Sequence, residues 1–472
     1  MSSISSLSNW QPATRVPPGR NVNPIVAQLD AAASLPPSTV VKLSPEAIAA
    51  ASAPLSISER YKDAGAAMLK QLGAGSAIPA DHAKLPESVD NKFTLNITTR
   101  SGTKVELTLA NVDDEMIYQV SSSADLNDDE RKALSNLAAG FQSAIDGMAG
   151  ADPQVRLSGL TQFDSKFVQS IDFHSEVALS GSQPASQTLD FHIDGTQRKV
   201  SIGGPDGQAE VNVDTNSLQN VGTRQQQAKA INNYLAQFDQ AASRGHGDMK
   251  LMTMFKDAFS DMNRTATTED RPSSYTAPSS WQLNADDHAA LTGLSDFSAS
   301  VSQTPKYPNP LKPQQKDSFS YDVSQLTSVD GPSQDDRTVG QTQQSHLSAQ
   351  YHTALGKTSA PSFDGTLQTQ NYEYHKIEDN AGSNVSLNYR HGKLAKATLE
   401  QMASQSEQVQ TFILGKLKSD RTIPSQQSLV HDLLPSLTSY EHRRGDDTLN
   451  NNVFLLGSPG ALVARKQQLE GQ

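Results

Sequence analysis

From residue 92 the chain begins to alternate. In KFTLNITTRSGTKVELTLA, Phe93, Leu95 and Ile97 are separated by polar residues, as are Val105, Leu107 and Leu109 beyond the Ser101–Gly102 turn. That period of two is the pattern of a β-hairpin with one buried face. Met116 to Val120 extends it by a third strand. The period then changes: Leu134, Leu137, Phe141 and Ile145 recur at helical spacing, and Asn127 with Glu130 has the spacing of a capping box. An earlier helix is expected over about 58–72, with Tyr61, Met68 and Leu72 on one face and Gly73 as its end.

Further along, Ile171, Phe173, Val177 and Leu179 mark a strand. Leu189, Phe191 and Ile193 pair across DGTQ with Val200 and Ile202, and GGPDG turns the chain into Val211 and Val213. Two helices come next. The first is opened by Thr223 with Gln226 and carries Ala228, Ile231, Leu235 and Phe238; the second is opened by Asp248 and carries Leu251, Phe255, Phe259 and Met262.

RLSGLTQF at 156–163 returns as ALTGLSDF at 290–297, with Leu157, Gly159, Leu160 and Phe163 matched by Leu291, Gly293, Leu294 and Phe297. The chain beyond the second occurrence can be given the same order. A strand carries Phe319, Tyr321 and Val323, a helical stretch is inserted near 337–355, and a hairpin joins Tyr372 and Tyr374 to Val385, Leu387 and Tyr389 through NAGS. Two helices close it, one with Leu399, Met402, Val409, Ile413 and Leu417, the other, opened by Ser425, with Leu429, Leu433, Leu434 and Leu437. The expected fold class is therefore α+β: antiparallel hairpins covered by helices, duplicated within the chain, with a disordered leader and linkers. The expected organisation is a leader at 1–39, helices plus a β-β-β-α module at 40–150, a first repeat at 151–263, a linker at 264–286, a second repeat at 287–440 and a flexible tail at 441–472.

Composition shapes the functional expectation. Of 472 residues only 36% are hydrophobic and the mean hydropathy is -0.52, so much of the chain cannot be buried. The net charge is -12 and no basic cluster is longer than a pair such as Arg443–Arg444, which disfavours nucleic acid as a partner. No apolar run is long enough for a spanning helix, and the N-terminus has no apolar core of a cleaved signal. Zero cysteines exclude disulfides, thiolate metal sites and cysteine nucleophiles. A Ser-rich start, no cysteine, acidic balance and Ala/Ser/Gln/Gly richness resemble bacterial type III-secreted proteins, including harpins, though the β-hairpins depart from the harpin pattern. VVKLSPEAIAAAS, where Ser44, Pro45 and Glu46 suit a helix start, contains a V-x-L-S-P-E-A segment that resembles short stretches in flagellum-associated regulatory and uncharacterised bacterial proteins. The resemblance implies export without a cleaved signal; cytoplasmic residence is the alternative.

No contiguous catalytic, nucleotide-binding or calcium motif occurs, and Pro205 removes a donor that SIGGPDG would need as a phosphate loop. The chemistry that can be named is scattered. D-F-H occurs twice, at Asp172–His174 and Asp190–His192. On neighbouring strands the four polar residues would share one face, a conceivable acid/base or metal array, although the same alternation makes them an ordinary solvated face. NYEYHKIEDNAGSNVSLNYRHG concentrates Tyr372, Tyr374, His375, Tyr389 and His391, an aromatic platform for a binding partner or plain sheet packing. Arg444–Gly445–Asp446 is a tripeptide that integrins read when exposed. The expectation is a bacterial, non-enzymatic interaction protein with a protein partner and no cofactor, the alternative being a cytoplasmic enzyme, such as a hydrolase, with a scattered His/Asp site.

Overall fold

The computed structural model describes residues 56–75, 89–112, 115–179, 185–216, 221–264, 281–440 and 456–470, all within the unit Leu55–Gln472. The expected leader, the helix start at Ser44, most of the linker and the Arg444–Asp446 tripeptide lie outside them. Among the described residues thirteen strands form one sheet in the order β13-β12-β11-β10-β9-β8-β7-β6-β5-β4-β1-β2-β3. Every neighbouring pair is antiparallel.

The N-terminal strands are β1 (Asn91–Thr99), β2 (Lys104–Val112) and β3 (Glu115–Ser122). The hairpin expected there is present, with Phe93 opposite Leu109 and Leu95 opposite Leu107. Beyond β3 the chain crosses through α3 (Asp128–Asn136) and α4 (Ala138–Met148) and re-enters beside β1 as β4 (Val168–Ala178). The Asn127 capping box opens α3 as anticipated. Ahead of β1 the expected single helix is two, α1 (Ile57–Arg60) and α2 (Ala64–Gly73), because Asp63 adopts φ 59° and breaks the ladder. From β4 the chain meanders: β5 (Ser186–Ile193), β6 (Gln197–Gly204) and β7 (Gly207–Asp214) add in turn.

After α5 (Arg224–Gly245) and α6 (Met249–Asn263) the same sheet continues. The short α7 (Ala285–Ala290) precedes β8 (Phe297–Gln303), which pairs directly with β7 through Val211–Ala299 and Ala209–Val301. The strands then lengthen: β9 (Ser318–Asp330), β10 (Thr338–Ala354), β11 (Tyr372–Arg390), β12 (Lys393–Ile413) and β13 (Lys416–Asp432). The chain ends in α8 (Leu434–Tyr440) and α9 (Pro459–Glu470), a helix where a flexible tail was expected.

The α+β expectation, with hairpin modules each closed by its own helices and laid down twice, is thus overturned. The stretch read as an inserted helix at 337–355 is β10, and NAGS is no turn but the middle of β11. The two closing helices of the second unit are β12 and β13. The segments after Leu157 and Leu291 fold differently, so the shared octapeptide is not the mark of a duplication; the sheet is single and continuous.

One core lies on one face of that sheet and draws on α2, α4, α5 and α6 together with strands β1 to β11. Phe141 of α4 meets Phe173 of β4 edge-on at 6.0 Å. Tyr234 and Phe238 of α5 and Phe259 of α6 close around Phe297 and Tyr321, with ring centroids 5.0–5.8 Å apart, a geometry that adds to area burial. A smaller cluster under α7 and α8 gathers Val339, Val385, Leu387, Tyr389 and Leu399. Between the two clusters the inward positions of β9 to β12 are polar: Gln325, Gln341, Gln343, Ser383 and Gln401 are buried.

Candidate functional site

Apart from the ends of β10 to β12, where Tyr372, Tyr374 and Phe412 are buried, the opposite face of the sheet is uncovered from β4 onward, and its composition follows from alternation. With Phe173, Phe191, Val200 and Val211 turned inward, Asp172, His174, Asp190, His192, Lys199 and Glu210 must turn outward. The four residues anticipated from the two D-F-H triplets do come together, in crossed register: Asp172 stands opposite His192 and His174 opposite Asp190. His174 Nδ1 lies 2.7 Å from Asp190 Oδ1, and His192 Nδ1 lies 2.6 Å from Asp172 Oδ1. His192 Nε2 also faces Asp194 Oδ2 at 3.3 Å. Each imidazole is thereby engaged by the carboxylate directly across the strand gap. Among the described residues no group of three or more His, Cys, Asp or Glu has the geometry to hold a metal.

Burial opposes the charged form of His192, but the hydrogen bonds and charges of Asp172 and Asp194 outweigh it and raise its pKa above the usual 6.5. The unfolded ring titrates lower, so the stability this proton contributes is complete below about 6.5 and is lost as pH climbs through the folded-state value. His192→Gln should shrink the gain in thermal midpoint seen between roughly pH 8 and pH 5.5 by an amount worth less than about 1 kcal/mol, since the pair is partly exposed. An unchanged pH profile in the variant would contradict this.

Continuing across the face, a single row runs His174, Asp190, Ser201, Glu210, Ser300, Asp322, His346, Asn380, Ser404, each opposite the next. At the usual spacing between strands, β4 to β12 spans roughly 40 Å. The middle is floored by short side chains. FSASVSQ in β8 and SFSYDVSQ in β9 turn Phe297, Ala299, Val301, Phe319, Tyr321 and Val323 inward, which leaves Ser298, Ser300, Ser302, Ser320 and Ser324 outward. Glu210, Gln344, His346 and Met402 rise beside that floor and enclose a trough of about 520 Å³. His346 is fixed between two acceptors, Asn380 Oδ1 at 3.0 Å and Glu378 Oε1 at 3.2 Å. Lys199 is engaged by Glu210 at 2.9 Å, so the exposed charge of the trough leans acidic. The S-x-S-x-S alternation was the available signal for this surface, and without β8 it goes unread.

The tyrosine-rich segment does not form one platform. Tyr372 and Tyr374 have even numbers on β11 and turn to the face opposite His375, an odd-numbered residue. Tyr389, beyond a bulge at Asn388, lies in the small cluster on the helix side. Tyr372 stacks on Phe412 at 4.8 Å and donates its hydroxyl to Gln315 Oε1 at 2.7 Å. Tyr374 donates to Gln350 Oε1 at 2.6 Å, and the buried His352 completes this nest through Asp317 at 2.6 Å. His391 sits in the β11–β12 turn with φ 50°.

His375 instead belongs to an array that sequence reasoning missed. Its Nδ1 donates to Glu407 Oε1 at 3.0 Å, which leaves Nε2 to accept from the Thr353 hydroxyl at 3.0 Å. Tyr351 stacks on His375 at 4.8 Å and on His246 at 3.9 Å. Arg244 of α5 clamps Asp379 with two hydrogen bonds, 2.5 and 3.2 Å. The order hydroxyl, imidazole, carboxylate is that of a nucleophile with its base. Thr353 is only 4% exposed, however, so no substrate reaches it, and the array ties α5 to β10, β11 and β12. The three residues come from three strands and meet only through register, which explains their silence in the sequence. SIGGPDG is the β6–β7 hairpin turn, as its proline implied.

Comparison of the chain with protein-family models, with curated proteins and with solved structures finds no match.

Proposed function

We propose that this is a non-enzymatic interaction protein that docks an extended protein partner along the uncovered face of its sheet. The supporting observation is the face itself: nine adjacent strands present hydroxyls, amides and carboxylates in register, with a serine-floored trough at the centre and acids around it. A flat, open surface of this kind suits a chain laid across it better than a small substrate that must be desolvated on all sides. Its acidic lean favours a partner rich in amide, hydroxyl and basic groups over phosphate backbones. No described helix is long and apolar enough to cross a membrane. The absence of cysteine and the Ser-rich start support a bacterial protein exported without a cleaved signal.

A photo-crosslinking amino acid at Ser300 in the trough should give a covalent adduct with a protein partner in the producing cells or in their targets. The same group at Asn232, exposed on α5, should give none. Equal labelling from both positions, or none from Ser300, rejects the reading. The export component makes a separate demand: the chain should appear in cell-free supernatant and be retained when residues 1–39 are deleted.

A further inference from the structure

A sheet of thirteen strands has two edges, and here they are unlike. On β13 the Leu433 N–H donates to Ala397 O at 2.9 Å, so odd-numbered residues turn their backbone to β12 and even-numbered ones turn outward. Pro424 is therefore on the outward set, where its missing donor interrupts any strand laid alongside. Lys416, Lys418, Asp420 and Arg421 are exposed on the same strand. Proline and charge are the usual guards of a sheet edge.

Among the described residues the other edge carries no proline, and its one charge, Glu115, stands at the start of the strand with its backbone toward β2. On β3, EMIYQVSS, Ser123 N–H donates to Lys104 O at 2.9 Å, and the β2–β3 register has no bulge. Odd residues thus face β2, and Met116, Tyr118, Val120 and Ser122 turn their N–H and C=O groups outward. Their side chains, apart from Ser122, pack partly buried against the main core. Among the described residues no strand pairs with that side of β3.

We propose that β3 pairs with β3 of a second copy of this chain, antiparallel about a two-fold axis at Gln119, so that the two sheets join into one. The register follows from two constraints. Both copies must keep Met116, Tyr118 and Val120 on the core face, so opposed residues must have equal parity. All four outward backbone positions find partners only when Tyr118 stands opposite Val120 and Met116 opposite Ser122, each pair exchanging two N–H···O bonds. That register sets an aromatic beside a β-branched residue, a favourable cross-strand pair, places Ile117 opposite Ser121, and opposes no like charges. The interface is isologous and closes on itself. Pairing of β3 with β13 of another copy would instead propagate without end, and Pro424 forbids it.

Sedimentation velocity on the full chain, at up to about 100 µM, tests this. The wild type should sediment as a dimer. Val120→Pro removes an outward N–H, copying the device at Pro424, while keeping a three-carbon apolar side chain at the half-buried position, and should give a monomer with an unchanged far-UV spectrum. Gln119→Lys and Gln119→Glu, each of which sets like charges across the axis, should be monomeric separately and dimeric when mixed. A monomeric wild type, a dimer that survives either Val120→Pro or Gln119→Lys, or failure of the mixture to dimerise overturns the proposal.

Discussion

Arg337→Met is expected to destabilise the fold by about 3–5 kcal/mol, the loss seen when one partner of a buried ion pair is removed and the other is left uncompensated. Arg337 enters β10 from the preceding turn, and its Nη2 donates to Asp287 Oδ2 at 2.6 Å, with side-chain exposures of 4% and 0%. Asp287 is in turn held by the Asn284 N–H at 2.8 Å, as the capping box of α7, and by the Tyr389 hydroxyl at 2.8 Å. The guanidinium lies 4.0 Å over the Tyr389 ring. Burial, reinforced by the Asp287 charge, pushes the Tyr389 phenol well above its usual range, so it remains a donor. Methionine fills the volume but strands a carboxylate in the small cluster that joins α7 and α8 to β10, β11 and β12. Arg337→Lys keeps the charge but loses the planar stack, and should lie between wild type and methionine. Adding Asp287→Asn to Arg337→Met removes the stranded charge and should recover part of the loss, which separates the ion pair from simple packing. Denaturant titration followed by far-UV circular dichroism reads all three; a shift under about 1 kcal/mol for Arg337→Met would show that the pair does not anchor this cluster.

The same cluster shows why Tyr389 resisted a reading from sequence as a binding residue. A tyrosine in a strand signals area and a polar tip; whether that tip meets solvent or a buried aspartate 102 positions away depends on the register of elements not yet placed. Legibility divides along the sheet for a related reason. In β1, β2 and β4 to β7 most inward positions are Phe, Leu, Ile and Val, with polar exceptions such as Ser175, Gln187 and Arg198, so the period of two is plain and the expected hairpins are present. In β9 to β12 many inward positions are Gln325, Gln341, Gln343, Ser383 and Gln401, and hydropathy cannot mark a buried amide as inward. The apolar residues that remain on β12, Leu399, Met402, Val409 and Ile413, fall at spacings that imitate a helix, while Met402 and Ile413 are in fact exposed. Strands of 17–21 residues also lie far beyond the usual length of about 5–6, which biases any reading toward turns that are not there. Of the candidate chemistry, the His–Asp face was visible because both triplets sit on strands of the legible half. The Thr353–His375–Glu407 array was not, because it is assembled from strands of the other half.

Gly159→Ala is expected to cost about 3 kcal/mol, at the upper end of overpacking penalties, and Gly293→Ala about 1–2 kcal/mol by a different route. The two glycines occupy the same place in RLSGLTQF and ALTGLSDF, and comparing them tests why those stretches match. A Cβ on Gly159 would lie 2.5 Å from Gly140 Cα, and one on Gly140 would lie 2.5 Å from the Gly159 carbonyl carbon. Turn and α4 thus touch backbone to backbone, and neither can retreat without opening the core beneath Phe141. The turn is also pinned by Asp261, which accepts from the N–H groups of Leu157 and Ser158 at 2.7 and 3.1 Å. Gly293 meets nothing so close: its nearest contact would be Gln226 Cβ at 3.1 Å, and its requirement is φ +77°. Its neighbour Thr292 is held by Gln341 and Gln325 of the sheet, with no aspartate in that role. Asparagine separates the two requirements, because it tolerates a left-handed backbone but is larger than alanine. Gly293→Asn should be milder than Gly293→Ala, whereas Gly159→Asn should be worse than Gly159→Ala. Gly140→Ala combined with Gly159→Ala should cost less than the two losses added, since either methyl forces the same separation. If thermal and denaturant midpoints instead rank the alanine and asparagine variants alike at both sites, the two turns share one backbone requirement.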